Sequence, residues 1–191
     1  MIYFVTRNTE KARHANYFFE KYGIKIEHKE MEYEEVGETV HETAKRAAKM
    51  LAEKFNNPVF VDDTGFFFDA YDNFPGVHPR FVYEGIGFDG IFRLLEGKDR
   101  GSYFLCCVGY CEPGQEAVVF EGKMHGEVLD RVVQPIENPK QDHLPYARIF
   151  VPEGQSKVLV EKDYEEKTSL KNHHRSTAFR KLAEYLKSKE G

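Results

Sequence analysis

The sequence at positions 58–68 reads Pro-Val-Phe-Val-Asp-Asp-Thr-Gly-Phe-Phe-Phe. Its short apolar beginning predicts a buried strand. Asp62, Asp63, Thr64 and Gly65 follow, and a strand that ends in carboxylates and a glycine is a common way to present ligands at the edge of a sheet. Adjacent residues in a strand point to opposite faces, so both carboxylates can serve one site only if the strand ends before them. An aspartate-rich turn without a catalytic role is equally consistent with this stretch.

Strand and helix patterns alternate on both sides of this stretch, which is typical of an α/β fold. The patterns predict further strands over residues 2–6, 24–30, 102–111, 115–121 and 147–151. They predict helices over residues 9–22, 39–56, 91–95 and 174–188, and loops over 72–80 and 131–145. A length of 191 residues suits one domain or two close-packed lobes that share a core, and we assign residues 1–191 to a single domain.

Composition and charge exclude some classes of protein. The formal net charge of −5 argues against a non-specific nucleic-acid binder, whose surface is usually basic. The apolar run at residues 2–6 is too short for a signal peptide, and no run approaches the length of a membrane span. Cys106, Cys107 and Cys111 match no zinc-ligand spacing, so we expect buried free thiols in a protein of the reducing cytoplasm.

The junction of the first strand and helix is a candidate phosphate site. It contains Thr6, Asn8 and Lys11. A helix N-terminus exposes backbone N–H groups and carries partial positive charge, and Lys11 in the first turn adds a full charge. The same residues also fit a simple capped helix with a surface lysine.

Two further segments carry charged residues that suit a site. Residues 34–38 are acidic, and Mg²⁺ often takes only one or two protein carboxylates, although a solvated acidic loop fits as well. His174 and Arg175 open the last predicted helix, where cations are unfavourable to the helix dipole unless they face an anion or a base. The remaining histidines, including His14, are scattered, and we expect them at the surface.

Taken in order, these motifs resemble the inosine/xanthosine triphosphate pyrophosphatase family over nearly the whole chain. The family's N-terminal signature, Thr-x-Asn-x-x-Lys after a strand, matches Thr6, Asn8 and Lys11. Its most specific piece, Asp-Asp-Ser/Thr-Gly followed by Phe-Pro-Gly, stands at residues 62–65 and 74–76. Its Glu-Lys and Ser-His-Arg signatures are matched in part at residues 166–167 and 174–175.

The resemblance implies an elongated α/β fold with a mixed central sheet flanked by helices, and two lobes with a cleft between them. It implies a Mg²⁺-dependent homodimer that hydrolyses (deoxy)nucleoside triphosphates, non-canonical purines such as ITP and XTP, to the monophosphate and pyrophosphate. Asp63 is the expected catalytic residue, and Glu35 and Asp63 are the expected metal ligands. The other residues expected to bind substrate are Thr6, Asn8, Lys11, Thr64, Tyr146, Lys167, His174 and Arg175.

The sequence departs from the family pattern at its base-binding segment, Gly-Phe-x-Tyr-Asp-x-Ile-Phe. Leu144 replaces the stacking aromatic residue, and Ala147 replaces the base-reading aspartate. We therefore keep two alternatives open: a pyrophosphatase with altered base preference, and a nucleotide-binding regulatory protein that has lost turnover.

Overall fold

The computed structural model describes residues 1–134, 145–162 and 164–190, in which strands and helices alternate. The strands are β1 (Ile2–Val5), β2 (Ile26–Lys29), β3 (Val59–Phe68), β4 (Pro75–Gly76), β5 (Gly101–Cys111), β6 (Val118–Val128) and β7 (Phe150–Pro152). The helices are α1 (Thr9–Lys21), α2 (Val40–Phe55), α3 (Pro79–Leu94), α4 (Tyr164–Ser169) and α5 (His174–Glu190). Short 3-10 helices cover Pro145–Arg148 and Leu159–Glu161.

The strands form one mixed sheet in the order β2-β1-β3-β5-β6-β7, with β4 paired to β3. β1 lies parallel to both β2 and β3, whereas β4 runs antiparallel to β3 and β7 antiparallel to β6. Parallel neighbours need a crossover connection, and α1 and α2 provide it here. The predicted α/β class with a mixed central sheet is confirmed.

The chain forms two compact units. The first unit comprises residues 1–64, 106–122 and 174–191, and the second unit comprises residues 65–105 and 123–173. The assignment of the whole chain to a single domain, and the cleft that the resemblance implies, stay predictions. Within the described residues, no helix is both long and apolar enough to cross a lipid bilayer.

The first unit packs helices against both faces of its strands. Phe4 and Phe60 share a buried cluster with Phe19 of α1 and Phe179 of α5. On the opposite face, side chains of β1 and β3 pack against α2, which approaches closely because residue 109 of β5 is glycine: a Cβ there would lie 2.2 Å from the carbonyl oxygen of Ala44. A strand covered on both faces is apolar at nearly every position, as β3 is before Asp62.

The second unit has a separate core, rich in aromatic residues. Phe66, Phe68 and Phe104 from the strands contact or neighbour Tyr146 and Phe150. Ile91 in the last part of α3 and Leu95, which directly follows this helix, add aliphatic side chains to the same core.

Several predicted elements have different bounds in the structure. β3 does not end at the aspartates but continues through Gly65 to Phe68. The predicted loop over 72–80 contains β4 and the first residues of α3, which extends to residue 94 and is interrupted at Gly87, where φ is 62°. Glycines at positions 85, 87 and 90 interrupt the apolar periodicity that would otherwise predict a helix here. β7 begins at Phe150, after a 3-10 helix, and residues 135–144 of the predicted loop lie outside the described residues.

Candidate functional site

The two adjacent aspartates of β3 point to opposite faces of the sheet. Because the strand continues past them, the alternation of side chains places Asp62 on the face of Phe60, covered by α1 and α5. Asp63 follows Val61 on the other face, where Tyr33 packs. The expectation that the strand ends at these carboxylates is therefore wrong, and the two residues have different partners.

Asp62 is a fully buried carboxylate between two cations. Its Oδ1 lies 2.8 Å from Lys11 Nζ, and its Oδ2 accepts a 2.5 Å hydrogen bond from Arg175 Nε. Lys11 Nζ also donates to the main-chain carbonyl of Asp62 at 3.0 Å. Burial favours the protonated acid, but the charges of Lys11 and Arg175 outweigh it and lower the pKa of Asp62 to about 2. Asp62 is thus ionised at neutral pH.

Asp63 has the opposite electrostatic environment. Burial raises the pKa of Asp63 to about 6; Lys11 opposes this rise, and the nearby charge of Glu35 adds to it. One carboxylate oxygen accepts the Thr64 backbone N–H at 2.8 Å. A carboxylate with a pKa close to neutrality is suited to accept a proton, which fits the role predicted for Asp63.

Glu35 lies in the exposed segment between β2 and α2, near the Asp63 face. The segment approaches α2 at Gly37, where a Cβ would lie 2.5 Å from Thr43 Oγ1. Thr39 then caps α2 by accepting the Glu42 N–H at 3.1 Å. Tyr33, two residues before Glu35, is a neighbour that the sequence did not single out. Burial first, and then the charges of Glu35 and the two aspartates, raise the pKa of Tyr33 well above its usual value, so its phenol keeps its proton.

The junction of β1 and α1 forms the cap that the sequence predicts. Asn8 Oδ1 accepts the backbone N–H groups of Glu10 and Lys11 at 3.0 and 3.1 Å, and Thr6 Oγ1 accepts the Asn8 N–H at 3.1 Å. Asn8 thus already uses two amide donors of the first turn. The ammonium group of Lys11, whose side chain is 19% exposed, is the stronger candidate for binding phosphate here.

The first turn of α5 brings Arg175 to Asp62, which confirms that a cation at this helix start faces an anion. Arg175 Nη2 also lies 3.4 Å from Thr64 Oγ1. α5 can come this close to β6 only because residue 122 is glycine, since a Cβ there would lie 2.1 Å from the His174 carbonyl oxygen. His174 itself is 1% exposed, and burial lowers the pKa of its imidazole well below the usual value.

His14 is buried, so its expected surface position is wrong. Its Nε2 lies 3.0 Å from Ser176 Oγ, and its ring packs edge-on against Phe179. Burial, followed by the charge of Arg175, lowers the pKa of His14 to about 3, so the imidazole is neutral. His14 lies on the buried face of α1 together with Ala15, three and four residues after Lys11. This helical spacing can be read from the sequence and could have predicted that His14 is buried.

The remaining predicted site residues lie in the second unit. Tyr146 is 1% exposed, and its ring lies 4.5 Å from that of Phe66, so it is a core residue there. Ala147 is also buried. Lys167 lies on α4, and Leu144 falls outside the described residues. Arg148 donates to Gln134 Oε1 at 2.7 Å.

Asp63 and Glu35 offer the negative charge and the oxygen ligands that a hard cation prefers. Asp63 is a carboxylate whose ionised form is disfavoured by burial and by Glu35, and a divalent cation would remove that penalty. Within the described part of the chain, no three His, Cys, Asp or Glu side chains form a metal cluster. Two carboxylates are nevertheless enough for Mg²⁺, which usually keeps waters and takes substrate oxygens as further ligands.

Comparisons with known proteins agree with these observations. The dITP/XTP pyrophosphatase of Methanopyrus kandleri is 35% identical over 190 residues, which cover 98% of this chain and 96% of that protein. The dITP/XTP pyrophosphatase of Thermococcus kodakarensis is 34% identical over 186 residues and 96% of each protein. A HAM1 protein structure from Coxiella burnetii covers 98% of each chain with a TM-score of 0.79 at 20% identity, a likeness of fold. The model of the Ham1 family matches residues 2–185, and the chain therefore belongs to the Ham1 family.

Proposed function

We propose that this protein is an enzyme that hydrolyses nucleoside triphosphates of non-canonical purines, such as ITP and XTP, to the monophosphate and pyrophosphate. The names of the relatives from Methanopyrus kandleri and Thermococcus kodakarensis support this activity. The observation that carries the proposal is the contrast across β3, where a buried carboxylate holds two cations on one face and a proton-accepting carboxylate lies on the other.

Asp63 supplies the base in this mechanism. Without a bound cation, its pKa of about 6 leaves Asp63 ionised at neutral pH, and in that form it is suited to orient the attacking water and accept its proton. The water attacks the α-phosphorus, and pyrophosphate leaves. Tyr33, which keeps its proton beside the same carboxylates, is suited to donate a hydrogen bond there.

Lys11 offsets the charge of the substrate close to both aspartates, because it contacts Asp62 and its charge also opposes the rise in the pKa of Asp63. Lys11 binds the phosphate tail through its ammonium group, next to the capped start of α1. Arg175 is held by Asp62 and contacts Thr64, so these residues form one connected set. Thr6, Asn8 and Lys167 complete the proposed substrate contacts. His174 and Tyr146, predicted from the family pattern to bind substrate, are each 1% exposed, and we propose that they act by supporting the residues packed around them.

The proposed cofactor is Mg²⁺, held by Glu35 and Asp63. When bound, such a cation would neutralise the charge of the phosphate oxygens and favour attack by water. Removing divalent cations with a chelator should abolish turnover and leave the fold intact. Adding Mg²⁺ should restore turnover.

We also propose that the protein is a cytoplasmic homodimer. The three buried free cysteines are consistent with a reducing compartment. Phe81 on α3 is 76% exposed, and a large apolar side chain at the surface is suited to a subunit contact. Light scattering during gel filtration tests the dimer, and Phe81→Asp should shift it toward the monomer.

A panel of purine and pyrimidine triphosphates, assayed for pyrophosphate and orthophosphate, tests the proposed reaction. We expect pyrophosphate as the first product from at least one triphosphate. Orthophosphate as the first product would contradict the proposal. Triphosphate binding without any product would favour the regulatory alternative.

A further inference from the structure

Asp62 is not among the residues proposed to contact the substrate or the metal, yet it is the most completely buried charge described in the first unit. Its side chain is 0% exposed, whereas the side chains of Lys11 and Arg175 are 19% and 9% exposed. A group with no exposed surface cannot touch a phosphate or a base directly. Any effect of Asp62 on the reaction must therefore pass through the residues it contacts.

Those contacts join three separate elements of the fold. Asp62 lies on β3, Lys11 in the first turn of α1 and Arg175 in the first turn of α5. Each carboxylate oxygen contacts a different cation, and the main-chain carbonyl of Asp62 accepts a second hydrogen bond from Lys11. Long cationic side chains have many rotamers, so these contacts fix positions that the chain alone would leave variable.

The charges in this set do not cancel. One carboxylate faces two cations, so the trio of Asp62, Lys11 and Arg175 carries a net charge of +1. Asp62 thus orders both cations while its single charge offsets only one of theirs. Groups that are oriented before the substrate arrives need no reorganisation during the reaction.

We propose that Asp62 is a positioning residue of the hydrolysis site, which orders Lys11 and Arg175 for the triphosphate without contacting it. This proposal rests on the proposed function. It predicts that the loss of Asp62 lowers turnover and does not weaken the attraction of the site for a polyphosphate.

The test compares Asp62→Asn with the unmodified protein in two measurements. Steady-state kinetics give kcat and KM for the best triphosphate, and calorimetry gives the affinity for inorganic tripolyphosphate without added divalent cation. We expect kcat to fall about tenfold or more, because small misplacements of binding groups are costly in rate. We expect tripolyphosphate to bind at least as tightly as before, because the trio now carries a charge of +2.

A matched control removes a carboxylate that holds a cation elsewhere in the first unit. Glu112 pairs with Lys189 at 2.5 Å near the surface, and Glu112→Gln should leave both measurements unchanged. A purely structural role for Asp62 predicts a different pattern, in which kcat and tripolyphosphate affinity fall together. That result, or an unchanged kcat in Asp62→Asn, would overturn the proposal.

Asp62→Glu provides a second variant in case Asp62→Asn does not fold. It keeps the charge and moves the carboxylate by one methylene, so we expect lower kcat with tripolyphosphate affinity within about twofold of that of the unmodified protein. A parallel loss of both would overturn the positioning role. The two failures are distinguishable: if the unmodified protein releases no pyrophosphate, the proposed function fails, whereas tripolyphosphate affinity reports on Asp62 by itself.

Discussion

At the scale of single residues, Asp62 and Asp63 show how environment assigns roles to identical side chains. Both carboxyl groups are largely removed from water, which alone would raise both pKa values. Two cations lower the pKa of Asp62 to about 2, whereas the neighbouring charge of Glu35 helps raise the pKa of Asp63 to about 6. One aspartate is therefore a permanent anion, and the other is a group that can exchange a proton.

Asp63→Asn should lower kcat about a hundredfold or more while the fold stays intact. The amide keeps the shape of the side chain and loses both the charge and the basicity. Circular dichroism and the thermal midpoint report the fold, and the exposed aspartate Asp72, changed to Asn, is the matched control. Near-normal activity of Asp63→Asn would show that another group is the base.

The same residue should set the acid limb of the pH dependence. Because the pKa of Asp63 is raised to about 6, the free carboxylate takes up a proton, and activity falls, as the pH drops through about 6. Mg²⁺ favours the ionised form, so a higher Mg²⁺ concentration should shift this limb to lower pH. A limb near pH 4 that does not respond to Mg²⁺ would contradict this assignment.

Lys11→Ala should weaken binding of a nucleoside triphosphate more than binding of the corresponding monophosphate. The reason is the position of Lys11 in the first turn of α1, where the proposal places the phosphate tail. Calorimetric titration with both ligands gives the two ratios. Equal weakening would move Lys11 to the α-phosphate or out of the site.

At the scale of elements, the sequence predicts what local chemistry specifies. The Asn8 cap of α1 and the apolar run at the start of β3 are confirmed because each depends on neighbours in sequence. Two features are not specified by neighbours in sequence. The polar residues 62–64 interrupt the apolar run of β3, and glycines interrupt the helical periodicity in the first half of α3. The pair of Asp62 and Arg175 joins residues 113 positions apart, which a single sequence cannot reveal.

Gly122 of β6 lets the first turn of α5, which carries Arg175, lie close to the sheet. An added Cβ would lie 2.1 Å from the carbonyl oxygen of His174. Gly122→Ala should therefore displace the first turn of α5, cost about 1–3 kcal/mol of unfolding free energy and lower kcat by moving Arg175. Urea denaturation and steady-state kinetics measure the two effects.

Gly85→Ala is the matched control for this change. Gly85 lies in α3, and a Cβ there meets nothing within 4 Å. Alanine favours a helix over glycine by about 1 kcal/mol, so the control should be neutral or slightly stabilising. Equal behaviour of the two variants would mean that β6 and α5 have room to adjust.

At the scale of the whole molecule, the proposed base, metal ligands and the two cations around Asp62 lie in the first unit, and the positions that depart from the family's base-binding pattern lie in the second. Asp63, Lys11 and Arg175 belong to the first unit, and Ala147 belongs to the second. The departure from the family pattern is thus confined to one unit. We therefore expect the proposed hydrolysis together with a base preference that differs from the family pattern.

The unmodified protein should discriminate weakly between deaminated and ordinary purine triphosphates. Leu144 cannot stack as an aromatic ring does, a contact worth about 1–3 kcal/mol per base in nucleic-acid complexes, and Ala147 cannot accept a hydrogen bond. Leu144→Phe with Ala147→Asp should sharpen the preference. The kcat/KM values for ITP, XTP, ATP and GTP, measured for both proteins, test this prediction. A strong preference of the unmodified protein for ITP and XTP would show that other residues recognise the base.

Hydrolysis of the best triphosphate in water enriched in oxygen-18 shows which phosphorus atom the water attacks. Mass spectrometry of the products locates the oxygen that came from the attacking water. Attack at the α-phosphorus predicts one labelled oxygen in the nucleoside monophosphate and none in the pyrophosphate. Label in pyrophosphate, or in orthophosphate as the first product, would contradict attack at the α-phosphorus and the proposed pyrophosphatase activity.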